Sequence, residues 1–225
     1  LNLITFYADC NLPDKPKQNQ RGFDWRNAIE LLRRSAAKHG YTVQVVTDES
    51  TIMESPWLRV GDAKEGLMMW LLKAQAAAVA ASEKPAIMVS PDTLIADRID
   101  FMNGPDLTIL TRLKPKPIVN SVIGFTPSAH LNALWSRFVE TAQGLSQDSL
   151  AWGADIDALV QVMGVVPNED STRIVHGVNV RMLPLAGRFE SAKLGRQSIR
   201  MRAPIWDFKG ARKAQMAEYA RLLGC

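Results

Sequence analysis

Leu3-Ile-Thr-Phe-Tyr-Ala8 is an apolar run that stops at Asp9-Cys10-Asn11 and opens into polar sequence through Arg21, the pattern of a buried first strand ending in a loop. Asp24 then caps an amphipathic helix. Trp25, Ala28, Ile29, Leu32 and Ala36 fall on one of its faces, and Gly40 marks its end. Tyr41-Thr-Val-Gln-Val-Val-Thr47 is β-branched and apolar, a second strand with Asp48 at its end. After an irregular stretch to Gly61, a segment rich in alanine, leucine and methionine predicts a helix from about Asp62 to Ser82. Pro85 opens a third strand, Ala86 to Val89. The order β-α-β-α-β, each strand ending in a polar loop, predicts a parallel sheet with its ligand site at the carboxyl ends of the strands.

The second half is less regular. Leu107-Thr-Ile-Leu110 and Pro117-Ile-Val-Asn-Ser-Val-Ile-Gly-Phe125 are short strand candidates. Thr126-Pro127 opens a helix by the pairing of a cap with proline at the first helical position, Leu131, Leu134, Trp135, Phe138 and Ala142 form its apolar stripe, and Gly144 ends it. A short helix over Ala154 to Met163 follows, then strands near Thr172-Arg-Ile-Val175 and Val178-Asn-Val-Arg-Met-Leu183. A last helix runs from about Ala211 to Leu223. No internal repeat or low-complexity tract is evident. The pattern reads as one mixed α/β domain over residues 1–225, a Rossmann-like nucleotide-binding half to about residue 104 and an acceptor half from about 105.

Composition narrows the setting. With 225 residues, 47% of them hydrophobic, the chain can bury a full core. Cys10 and Cys225 form no disulfide framework and no metal-ligand spacing, which fits a reducing, cytoplasmic environment. The longest apolar run, Leu67 to Ala81, carries Lys73 and is shorter than the ~20 residues a membrane helix needs. No basic region precedes an apolar core at the N-terminus, so neither a signal peptide nor a membrane association is expected. The net charge of +4 is modest, but Arg188, Lys193, Arg196, Arg200, Arg202, Lys209, Arg212, Lys213 and Arg221 face only Glu190, Asp207 and Glu218 along the C-terminal stretch. That basic surface suits phosphates of a nucleotide or of a nucleic acid, or simply solvent.

Two segments carry the candidate chemistry. Ala86-Ile-Met-Val-Ser-Pro-Asp-Thr-Leu-Ile95 places Asp92 in a break after a buried strand. Ile205-Trp-Asp-Phe-Lys-Gly-Ala-Arg-Lys213 puts a carboxylate, two lysines, an arginine and a glycine before the last helix. A strand-end carboxylate and a basic, glycine-containing loop are what a divalent metal and a diphosphate require, so together they point to a nucleotide-sugar site.

These segments resemble the metal-dependent GT-A-fold glycosyltransferases. In that family a strand ends in Asp-x-Asp, whose carboxylates hold manganese or magnesium on the donor diphosphate; Ser90-Pro91-Asp92 occupies that place and keeps the second acid only. Asn120-Ser-Val-Ile-Gly-Phe125 resembles the family's Asn-Ser-Gly segment, which contacts the donor sugar. Trp152-Gly-Ala-Asp155-Ile-Asp157-Ala-Leu159 is similar to the Asp-Gln-x-Ala-Leu region, whose acid lies near the reacting carbon or acceptor. Asp207-Phe-Lys-Gly210, with Arg212-Lys213, resembles the His-Phe-x-Gly…Lys segment, where the His binds metal and the Lys meets phosphate; here an aspartate replaces the histidine. The resemblance spans roughly residues 2 to 222 and implies a single-domain GT-A-like α/β fold with a mixed central sheet flanked by helices.

The resulting expectation is a glycosyltransferase, hexosyl or pentosyl, that uses a nucleoside diphosphate sugar, uridine-based, with Mn2+ or Mg2+. Asp92 and Asp207 are the expected metal ligands, since carboxylates suit hard divalent cations, although Asp92 also fits a Pro-Asp turn and Asp207 a helix cap. Lys209 and Lys213 are expected on phosphate oxygens, with Gly210 allowing close backbone approach. Thr5, Tyr7 and Asp9 end the first strand and Asp48 the second, where the base would lie, with Tyr7 offering an aromatic face. Asn120 is expected on the donor sugar. Asp155 or Asp157 serves as general base on the acceptor if configuration inverts, or orients substrate if it is retained; for Asp155 a helix N-terminal acid is the plain alternative. His39, His130 and His176 share no ligand spacing. The rival classes are a nucleotide-sugar-binding protein without turnover and a nucleic-acid-binding module using the basic surface. Combined with the first reading, that surface also admits a transferase acting on modified bases in DNA, as in some bacteriophages.

Overall fold

In the computed structural model, residues 2–7, 24–47, 63–113, 116–145, 154–164, 166–192 and 201–225 are described; Asp9, Asp48 and Trp152 lie outside them. Strand β1 (Asn2–Tyr7) pairs in parallel with β2 (Thr42–Thr47) and with β3 (Ala86–Val89). The apolar runs of β1 and β3 form strands covered on both sides, whereas β2, at the sheet edge, leaves Thr42, Gln44 and Thr47 exposed. On β3, Ala86 and Met88 enter one core while Ile87 and Val89 enter another.

Helix α1 (Trp25–Ala37) is capped by Asp24, whose carboxylate accepts from Asn27 N at 3.0 Å. Helix α2 spans Ala63–Ala81. Strand β4 (Thr93–Ile95) follows the turn after β3; then come β5 (Leu107–Thr111), β6 (Ile118–Phe125) and helix α3 (Ala129–Gln143). Helix α3 starts later than Thr126-Pro127 predicts. Ser128 is its cap, with Oγ accepting from Leu131 N at 3.1 Å, because only a hydroxyl immediately before the first turn reaches that amide. Its predicted stripe from Leu131 to Ala142 is buried throughout. Helix α4 (Ala154–Met163), β7 (Ser171–Val175) and β8 (Val178–Pro184) complete the large sheet, whose order is β2-β1-β3-β6-β5-β8-β7.

Two short strands that periodicity does not reveal, β9 (Phe189–Ser191) and β10 (Ile205–Asp207), join β4 in a second sheet ordered β4-β10-β9. The predicted last helix divides into a 3-10 segment, Gly210–Gln215, and α5 (Met216–Leu222). One core, with Trp135, Phe138 and Leu159, lies between the large sheet and the α2–α3–α4 layer; a second joins the other face to α1 and the small sheet. A third, with Leu94, Trp206, Phe208 and Tyr219, ties α1, the small sheet and α5 together. Gly124 is required by packing: a Cβ there would lie 2.0 Å from the Met102 carbonyl oxygen. Among the described residues no helix is long and apolar enough to cross a membrane.

Candidate active site

The site forms where the two sheets meet, beyond the carboxyl end of β3. The chain leaves β3 through Ser90, whose N–H donates to Ser121 O at 2.8 Å, turns at Pro91–Asp92 and enters β4. Asp92 is thus a turn residue, and its neighbours add more. Its carbonyl accepts from Phe208 N at 3.0 Å, which locks the turn to the end of β10. Its carboxylate Oδ2 lies 3.5 Å from Lys213 Nζ. Asp92 is 6% exposed and Lys213 5%, so the pair is shielded from water on almost every side. The ammonium also lies 3.9 Å from the centroid of the Trp25 ring, a cation–π contact from the first turn of α1.

Asp207 belongs to β10 and does not cap the last helix. It stands opposite Thr93 on β4 and beside Ser191 on β9, so these three side chains share a face. Ser191 Oγ donates to Asp207 Oδ2 at 3.2 Å, while Asp207 Oδ1 and Thr93 Oγ1 are buried and meet no hydrogen-bond partner. Burial, reinforced by the negative charge of Asp92, pushes the Asp207 carboxyl up to about 6, against the pull of Lys209, Ser191 and Arg212. Burial lowers the Lys213 ammonium, and Asp92 and Asp207 oppose that shift. Two interacting carboxylates, one with an orphaned buried oxygen, fit a hard divalent cation. Among the described residues no three His, Cys, Asp or Glu side chains gather as a metal site, so a cation held here would draw further ligands from substrate or water.

A second cluster adjoins the first. Between Ile109 and Leu110 the β5–β6 pairing slips, so Asn120 and Ser121 lie in an irregularity of β6, the kind of bulge that re-aims side chains beside active sites. Asn120 Nδ2 donates to Asp155 Oδ2, and Lys209 Nζ lies 3.5 Å from Asn120 Oδ1. Asp155 occupies the first turn of α4 and is buried; desolvation raises its carboxyl, offset by the Ile156 N–H, Asn120, Lys209 and Lys116. Asp157 is exposed and pairs with Lys116 at 3.6 Å.

The basic loop is strapped in place by Arg212, which donates to Lys209 O at 2.8 Å and to Ala192 O at 3.2 Å. Gly210 opens the 3-10 segment between the two lysines. Tyr7 ends β1 half-buried, three residues past the last β1–β3 pair, Ile4↔Met88, and so on the same edge as the Ser90–Asp92 turn. Thr5 is fully buried inside the sheet, its hydroxyl without a partner. Trp25, Ser191 and Lys116 join the site without a sequence signal. Each arrives by tertiary contact from another element.

A large mixed sheet whose first half is parallel, a small sheet at its carboxyl edge and paired acids between them define an α/β protein with a buried polar cluster at that edge. No family model and no curated protein sequence matches the chain. Solved structures do. A glycosyltransferase involved in glycosylation of the major capsid of PBCV-1 superposes with a TM-score of 0.54 at 11% identity, covering 98% of each chain. The galactosyltransferase LgtC, solved with donor and acceptor sugar analogs, gives 0.54 at 7% identity over 100% of this chain and 97% of that one. The glycosyltransferase GlyE of Streptococcus pneumoniae TIGR4 gives 0.55 at 7% identity over 97% of this chain, which spans 60% of GlyE. The chain therefore has the GT-A-type glycosyltransferase fold.

Proposed function

We propose that this protein transfers a sugar from a nucleoside diphosphate sugar, uridine-linked, to an acceptor hydroxyl. The observation that carries the reading is the burial of Asp92, Asp207 and Lys213 together at the sheet edge. Stranding two acids and a base in a small protein is costly unless a ligand uses them.

In this reading Asp92 and the unpartnered oxygen of Asp207 hold Mn2+ or Mg2+, which when bound offsets the charge of the departing diphosphate. Lys213 contributes a fixed positive charge from within the fold, and the backbone at Gly210 comes close to the phosphates. Tyr7 lines the base end, with Asp9 and Asp48 proposed beside it and Thr5 supporting the strand from within. Asn120 addresses the donor sugar. Asp155 is assigned to the reacting centre as base or orienter, and Asp157, paired with Lys116, is the second candidate on the acceptor side.

For the acceptor, exposed Arg202 and Arg221 favour an anionic polymer, and a hydroxylated base in DNA is the form to test. DNA that neither binds in a salt-dependent way nor takes up sugar removes that acceptor. Ser90 in place of the first acid of the motif supports another reading, a nucleotide-sugar binder without turnover, which would bind donor and never hydrolyse it.

The first experiment is thermal stability with a panel of nucleoside diphosphates, with and without manganese. A rise with one nucleotide that needs metal and is lost in Asp92→Ala is the expected result. No rise with any nucleotide or metal would overturn the reading.

A further inference from the structure

Lys209 stands apart from the other basic groups of the loop. Lys213 is buried against Asp92 and Trp25, and Arg212 is spent on two carbonyls. Lys209 is half-buried, and its ammonium points at Asn120 rather than at Asp92. The Asn120 amide therefore has a cation on one side and the Asp155 carboxylate on the other. Only one orientation suits both neighbours. The carbonyl oxygen must face Lys209 and the NH2 must face Asp155, because the flipped amide would set NH2 against ammonium and oxygen against carboxylate. At 3.5 Å the contact with Lys209 is long for a hydrogen bond, so it acts chiefly as charge on dipole.

We infer that Lys209 is a positioning residue for the donor sugar rather than a diphosphate ligand: it fixes the Asn120 amide, which holds the Asp155 carboxylate in one place. The inference rests on the nucleotide-sugar reading and revises the phosphate role that the sequence alone assigns to Lys209. Without the ammonium, Asp155 alone would orient the amide, whose carbonyl oxygen would lose the cation that holds it. The amide would flip more often, presenting a second face to the sugar and taking the side-chain donor from Asp155 whenever it does. With the ammonium present one arrangement remains, formed before substrate arrives.

The test compares UDP with UDP-glucose and UDP-galactose by calorimetry, on the full chain with manganese, for wild type, Lys209→Met, Lys209→Arg and Asn120→Ala. A diphosphate ligand contributes alike to all three probes. A residue acting through Asn120 contributes only where a sugar is present. The expected result is that Lys209→Met weakens the preferred UDP-sugar by about fivefold or more, as for loss of a modest polar contact, while UDP changes by less than about twofold. Lys209→Arg restores most of the difference. The Lys209→Met/Asn120→Ala double variant loses no more than Asn120→Ala alone, since the two act in series.

Equal losses for UDP and UDP-sugar, no loss for either, or additive losses in the double variant would overturn the inference. Failure of the nucleotide-sugar reading is seen separately, in the wild type alone, when no probe binds with or without metal; that result also rejects this inference. Melting curves of the variants without ligand show whether each remains folded.

Discussion

The Lys213 ammonium lies 3.5 Å from the Asp92 carboxylate, and both groups are buried between the β3–β4 turn and the final helical segment. A buried pair of this kind adds little net stability, but removing one member strands the other. Lys213→Met is therefore expected to cost about 3 kcal/mol, a melting-temperature loss of about 6–12 °C for a chain of this size. The Asp92→Asn/Lys213→Met double variant should lose less than the sum of the two singles. A simple sum, measured by calorimetric melts, would mean that the pair is not coupled.

Asp207 makes stability depend on pH in the absence of ligand. Its carboxyl is held at about 6, above the ordinary value of 3.8, by burial and by Asp92. A group raised in the folded state binds its proton more tightly there than in the unfolded chain. Its contribution is fully present below about pH 4 and is lost as pH rises through about 6. The expected loss across that window is of order 1–3 kcal/mol, and Asp207→Asn should remove it and raise the melting temperature near neutral pH. Manganese with UDP should reverse the slope, because metal ligation needs the ionised carboxylate. Melting temperature against pH for wild type and Asp207→Asn checks both signs.

The sequence shows this site in part, and the limit is physical. Asp92, Asn120 and Asp155 stand at ends or breaks of elements whose period is readable, and Asp207 and Lys213 in a short run dense in charge, so their residue types already point to chemistry. The stripe from Leu131 to Ala142 is plain for the same reason: fifteen residues of α3 give the helical period room to repeat. Strands β9 and β10 have three residues each, too few for alternation, and β10 exists because β4 and β9 flank it. Hence Asp207 resembles a cap in one dimension and is a strand residue in three. Trp25 reads as part of an apolar helix face, yet its ring meets Lys213 from the opposite end of the chain. Such contacts follow from packing between distant segments, and local pattern carries no trace of them.

Gly124 gives a test of the framework that leaves the site residues untouched. Its missing side chain lets the 3-10 turn Asp100–Met102 close onto β6, with the Met102 carbonyl oxygen 2.0 Å from where a Cβ would stand. That atom is backbone and cannot rotate aside. Gly124→Ala should cost about 1–3 kcal/mol or more, as overpacking does in a filled core. A melting temperature within about 1 °C of wild type would show that the turn can move away from β6.

Asp155 and Asp157 are two residues apart on α4, and the structure separates their prospects. Asp157 is exposed and meets Lys116 at 3.6 Å, an arrangement worth little. Asp155 is buried, faces the Asn120 amide, and has its carboxyl raised by desolvation. A carboxylate held out of water at a fixed orientation suits proton transfer or charge stabilisation at the reacting centre. Asp155→Asn should therefore reduce release of UDP from the UDP-sugar, measured with water as acceptor, by about 10²–10⁴-fold with UDP affinity retained. Asp157→Asn should change the same rate by less than about threefold, as expected for loss of an exposed ion pair. Should the two variants behave alike, α4 supplies no general base, and the proton must leave the acceptor by another route, such as an oxygen of the departing diphosphate.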